Sequence, residues 1–141
     1  MVTTSDWLHQ TVLVAEPTSA SRARDFVCLH LAEHSLLYLV EDIRLVVSEL
    51  ATNAMVHART PFTVTLSADD RTVLLAVRDG STTVPVKAGP QVTDMRGRGL
   101  LLVEQLSLAW GASTAADGSK SVWASFATRS RPGAWPAAGP Q

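Results

Sequence analysis

Glu49, Asn53 and His57 stand four residues apart in the run Val46-Val47-Ser48-Glu49-Leu50-Ala51-Thr52-Asn53-Ala54-Met55-Val56-His57-Ala58. On an α-helix this spacing makes one polar stripe, drifting by about 40° per step. Around it, Leu45, Val46, Leu50, Ala54 and Met55 recur at the spacing of a buried helical face. A carboxylate and an amide among such neighbours must be paired, ligated or facing a cleft, since burial without a partner costs on the order of several kcal/mol. A stripe turned to solvent is the other reading. Two more segments carry polar groups suited to a ligand. Arg78-Asp79-Gly80-Ser81 closes an apolar run, and Arg96-Gly97-Arg98-Gly99-Leu100 is a glycine-rich entry into a helix. Glycines there let backbone N–H groups approach an anion, and a helix start favours negative charge. Each signal is weak alone, because such turns precede many helices and Asp commonly starts a turn.

The elements that must position these groups follow from periodicity and breakers. Trp7 to Glu16 contains Thr11-Val12-Leu13-Val14-Ala15, which reads as a first strand closed by Pro17. Thr18 or Ser19 is expected to cap a helix reaching about His34, with Ala23, Phe26, Val27, Leu29, His30 and Leu31 on its apolar side. His30 and His34 have helical spacing for a shared metal, but no Cys, Asp or third His lies nearby in sequence. They are therefore read as partly exposed helix-end residues. Leu36 to Ala58 reads as a longer helix, with Glu41 and Asp42 near its start, where negative charge is favoured. After Pro61, Phe62–Leu66 and Val73–Val77 read as a hairpin about Asp69-Asp70-Arg71. Arg78 to Gly97 is a long, breaker-rich loop of the kind more often functional than idle. A helix from Gly99 through Leu106 is expected to end near Trp110-Gly111. Ala112–Ala115 and Lys120–Phe126 then form strands about Asp117-Gly118, a strong hairpin signal. A domain over 1–128 and a flexible Pro/Gly/Ala-rich tail over 129–141 are expected.

Composition narrows the partners. The 141 residues hold one core-bearing domain, and 46% hydrophobic with 18% charged residues indicates a folded chain. Twelve basic against thirteen acidic side chains give a net charge of -1, so no basic field exists to bind nucleic acid or an anionic membrane. The lone Cys28 allows no internal disulfide and points to a reducing setting; among Phe26, Val27 and Leu29 it reads as a small buried hydrophobe. Without a signal-peptide pattern or an apolar run near the roughly 18 to 20 residues of a membrane span, a soluble, cytoplasmic protein is expected.

Taken together and in order, the three polar segments resemble those of the GHKL ATP-binding superfamily, the Bergerat fold. Within it they are similar to the bacterial anti-sigma factor serine kinases and their small ATP-binding relatives. The resemblance runs from about Thr11 to Phe126. Glu49 to Ala58 matches the family's N box, Asp79-Gly80-Ser81 a shortened first glycine box, and Gly97-Arg98-Gly99-Leu100-Leu101-Leu102-Val103 the second. Trp110-Gly111 and Lys120-Ser121-Val122-Trp123-Ala124 also fit. The resemblance implies an α+β two-layer sandwich with a mixed, mostly antiparallel sheet packed on helices, binding ATP with Mg2+.

By the same resemblance, Asn53 would hold Mg2+ through its amide oxygen, and Glu49 would be the general base. Asp79 would accept a hydrogen bond from the adenine amino group, and Gly80 would leave room for the base. Gly97, Arg98, Gly99 and the amides of Leu100 and Leu101 would cradle the phosphates. His57 is assigned ligand contact by analogy alone. The chain departs from the larger ATPases in having Asp79-Gly80-Ser81-Thr82-Thr83, with no second glycine, and a short lid from Thr82 to Arg96 bearing one lysine, Lys87. Lys120 is read as a solvent-facing strand residue rather than a phosphate ligand.

The activity implied is an anti-sigma regulator that binds a sigma factor and phosphorylates Ser or Thr on a STAS-type anti-anti-sigma antagonist. A homodimer through the first strand and helix is implied too. Two alternatives stand beside it: an inactive ATP-binding module that sequesters a partner, and a detached histidine kinase domain acting in trans.

Overall fold

A computed structural model describes residues 6–57, 59–80 and 101–128 of the chain. Strand β1 (Trp7–Leu13) leads through a tight turn into helix α1 (Thr18–Glu33). A 3-10 turn (Leu37–Leu39) then opens directly into α2 (Val40–His57). The hairpin β2 (Phe62–Ala68) and β3 (Thr72–Asp79) follows; residues 101–106 are helical, and β4 (Ala109–Thr114) and β5 (Lys120–Ala127) close the described chain. The five strands lie in the order β1-β2-β3-β5-β4. Every pairing among the described strands is antiparallel, where the sequence reading allowed a mixed sheet. The expected α+β architecture of helices against a sheet is what is seen.

Strand alternation builds the core. Phe62, Val64 and Leu66 of β2 and Val73, Leu75 and Val77 of β3 point to one face and are buried there. Against that face lie Ala23, Val27 and Leu31 of α1, and Ile43, Val46, Val47, Leu50, Ala51 and Ala54 of α2. Val103 joins the same cluster, which anchors the helical segment 101–106 to the core. Leu45, expected on the buried face, is 48% exposed, because Ile43 and Val47 define the contact stripe instead. Cys28 is half-buried rather than buried. No described helix is long and apolar enough to cross a membrane.

Element boundaries differ from the sequence reading at α2, which begins at Val40 behind the 3-10 turn rather than at Leu36, and in three further places. β1 begins at Trp7 and stops at Leu13, because its register ends where Leu13 meets Phe62 at the start of β2. Neither Thr18 nor Ser19 caps α1. Pro17 holds the cap position, and the buried Ser19 hydroxyl donates to the Val14 carbonyl at 2.6 Å, tying the strand exit to the helix start.

The third difference is that helical residues end at 106 and Trp110-Gly111 belong to β4. Gly111 lies opposite Trp123. A Cβ on it would come within 2.7 Å of that indole ring, so the ring occupies the space a side chain would need. Gly118 fills the β4–β5 turn at φ 92, a conformation side chains resist.

Two predictions follow from this packing. Gly111→Ala should destabilise the fold by about 1–3 kcal/mol in denaturant unfolding. The penalty should largely vanish when the same change is made in a Trp123→Ala background.

Turn carboxylates add a pH dependence. Asp117 accepts the backbone N–H of Ser119 at 2.9 Å and its hydroxyl at 2.7 Å, and these bonds, backbone first, hold its pKa below the ordinary 3.8. Asp69 is lowered likewise by the backbone N–H groups of Arg71 and Thr72. Stability from both is present above the ordinary carboxylate range and is lost as pH falls through their depressed values. Asp117→Asn should therefore flatten the acid side of the stability–pH profile without changing its course near neutrality.

Candidate functional site

The site is built where α2 ends and β3 ends. Burial of its apolar stripe turns α2 so that Glu49 and Asn53 lie on its flank, half-buried, rather than in the core or in bulk water. Asn53 is engaged with a neighbour. His57 is the last residue of α2, and its side chain lies outside the described residues. Arg59 then takes a left-handed φ of 58, breaking the helical direction before the chain enters β2.

Phe62, the first residue of β2, pairs with Asp79, the last of β3. The connection is reinforced by Thr60, whose hydroxyl oxygen accepts the Gly80 N–H at 3.3 Å. The end of the helix that carries Asn53 and His57 is thus tied to the strand end that carries Asp79.

Asp79 is 4% exposed, on the helix side of the sheet. It too is engaged with a neighbour. Its other register neighbour is Lys120, half-buried on the same face. This corrects the solvent-facing reading of Lys120. The signal was in the strand phase: Val122, Ala124 and Phe126 alternate inward with Lys120. Thr60 was likewise missed, and no sequence pattern marks it.

Arg78 points the opposite way. Its guanidinium donates to the Ser119 hydroxyl at 3.3 and 3.2 Å and stands 3.7 Å from Asp117. It braces the β4–β5 turn and takes no part in the site.

Of the predicted residues, the fold brings Asn53, Asp79 and Gly80 to one end of the helix–sheet sandwich, with Glu49 one turn back on α2. Gly97, Arg98, Gly99 and Leu100 lie outside the described residues, as do Ser81 and the lid. Leu101 opens the described helical segment and is exposed, two residues before the anchored Val103.

The family model of the histidine kinase-like ATPase domain matches residues 13–126. The chain belongs to this family. A comparison with curated proteins returns no match.

Membership supports ATP binding by this ATPase domain. The residues present suit an adenine nucleotide with Mg2+. The Asp79 carboxylate is a buried acceptor for an amino group, and Asn53 offers a hard amide oxygen of the kind Mg2+ accepts.

Gly80 gives a further test. A Cβ there would meet Thr60 Oγ1 at 3.9 Å as its nearest contact among the described residues beyond its chain neighbours, and its φ is not in the left-handed region. Among the described residues nothing requires glycine at that position, which is compatible with space kept for a ligand. Gly80→Ala should therefore leave unfolding stability within about 0.5 kcal/mol of the parent. It should nonetheless weaken ATP binding measured by calorimetry, and equal affinity in the two proteins would remove Gly80 from the pocket wall.

Proposed function

We propose that this ATPase domain is a cytoplasmic anti-sigma regulator that uses Mg-ATP to phosphorylate a Ser or Thr of a STAS-type antagonist and also binds a sigma factor. The observation that carries the reading is the half-buried Glu49, one helical turn before Asn53, on the helix that ends beside the buried Asp79. A carboxylate so placed can accept the proton of an incoming hydroxyl, and phosphoryl transfer needs little more from a protein than positioning and charge neutralisation. Asp79 would select adenine through its amino group. Asn53 would hold Mg2+, which supplies neutralisation of phosphate charge when bound. The added phosphate would weaken the antagonist's grip by placing charge at its docking surface. A homodimer is part of this reading.

A second reading is an inactive ATP-binding module that sequesters its partner by binding alone. The Ser81-Thr82-Thr83 sequence, which lacks a second glycine, favours it; the Glu49 carboxylate opposes it.

Thermal unfolding with Mg-ATP and with Mg-GTP tests the binding step. A ligand at 100 times its dissociation constant adds about 2.7 kcal/mol, and the shift is expected with ATP only. Asp79→Asn should reduce this shift, and Asn53→Ala should remove its dependence on magnesium. Incubation with labelled ATP and candidate antagonists tests the transfer. Acid-stable label on the antagonist, lost in Glu49→Ala, is the expected result. ATP binding without transfer would leave the sequestering module, and acid-labile label would indicate a histidine acceptor.

A further inference from the structure

Three of the chain's four histidines meet at the other end of the sandwich, between β1 and the last turn of α1. The His9 ring stacks on that of His30 with centroids 3.7 Å apart and planes 10° from parallel. His9 Nε2 lies 3.0 Å from His34 Nε2. Trp7 stacks flat on His34 at 3.9 Å, and Phe26 meets His30 edge-on at 4.8 Å, so aromatic rings pack against both His30 and His34. His30 Nδ1 is 2.7 Å from Glu33 Oε1. One ligand atom from each of His9, His30 and Glu33 can be chosen so that all lie within 4.8 Å of one another.

The sequence reading set a metal aside because no third histidine stood near His30 and His34. The fold supplies His9 from β1.

We propose that His9, His30 and Glu33 form a binding site for a borderline transition-metal cation of the Zn2+ class, with His34 supporting it through its contact with His9. The donor set is two imidazoles and a carboxylate, which suits Zn2+ and its neighbours and not Mg2+, an ion that takes oxygen ligands. Ligand nitrogens around a tetrahedral Zn2+ stand roughly 3.3 Å apart, given Zn–N bonds near 2.0–2.1 Å. The three ligand atoms lie within 4.8 Å of one another, and binding requires the stacked His9 and His30 rings to turn until their lone pairs face one point. A hydrogen bond or second nitrogen from His34 fixes the His9 ring in the way partners behind a ligand commonly do.

The site is distinct from the nucleotide pocket. His9 sits opposite Leu66, toward the far end of β2, whereas Asp79 sits opposite Phe62. A cation there would clamp β1, the edge strand of the sheet among the described residues, onto α1.

The test uses the full chain without an affinity tag, stripped with EDTA and dialysed, then titrated with Zn2+, Co2+ and Mg2+. One Zn2+ per chain is expected, with a raised unfolding temperature that Mg2+ does not reproduce. Co2+ should give a visible spectrum of nitrogen and oxygen ligation, without the intense sulfur charge-transfer band of a thiolate. His9→Gln and His30→Gln should each weaken Zn2+ binding at least tenfold while keeping the circular dichroism and Mg-ATP affinity of the parent. Cys28→Ser should leave the metal titration unchanged. Failure to bind Zn2+ stoichiometrically, or equal binding by the two histidine variants, would overturn the proposal.

Discussion

The buried stripe of α2 sets the geometry on which the rest depends. Ile43, Val46, Val47, Leu50, Ala51 and Ala54 are no more than 4% exposed and belong to the core that α2 forms with β2 and β3. Each large side chain so buried contributes about 1.5–3 kcal/mol, so the rotation of the helix about its own axis is strongly determined. Successive residues turn by about 100°. A slip of one position would carry Glu49 into the hydrophobic layer or out to bulk water. The chemistry assigned to Glu49 and Asn53 is therefore a consequence of packing on the opposite flank. No polar interaction in the site could impose that orientation by itself.

Where periodicity was strong, the fold was legible in the sequence. α2 and the β2–β3 hairpin follow from unbroken apolar patterns and from turn chemistry at Asp69, whose carboxylate accepts two backbone N–H groups. β1 was displaced because Thr11 to Ala15 is the most apolar part of its segment, while the strand's true limits are set by pairing with β2. Its outward residues Leu8 and Val12 are exposed, so hydrophobicity marks the wrong end. Trp110 and Gly111 were assigned to a helix end because an apolar run has no inherent period until its partner is known. The partner is Trp123, whose ring occupies the space above Gly111.

The candidate site was drawn from its residues more than from their surroundings. Asp79 stands out as an Asp-Gly pair closing an apolar strand, but its burial depends on α2 lying over that strand end. Lys120 was misread although its phase with Val122 and Ala124 placed it beside Asp79. That error came from weighing a lysine by its average exposure rather than by its position in the alternation. Of the histidine cluster, only the helical spacing of His30 and His34 could be read in the sequence. His9 reaches His30 only after β1 has paired with β2 and α1 has folded back across them, a relation with no local signature.

The two ends of the sandwich raise the question of whether they act on each other. Both the candidate nucleotide site and the histidine cluster are held by helices packed on one core: α2 carries Glu49 and Asn53, α1 carries His30 and Glu33, and the two helices lie against each other. Ligands at both ends would each favour the folded state over the unfolded one, and those gains add by mass action without any communication. Communication demands more: two arrangements of the α1–α2 pair that the ligands prefer to different degrees, with equal and reciprocal effects on affinity. The fully buried Ala23, Val27 and Leu31 of α1 leave little room for a second arrangement, since close-packed interiors resist small displacements. Additive stabilisation, with nucleotide affinity indifferent to the cation, is what this packing implies.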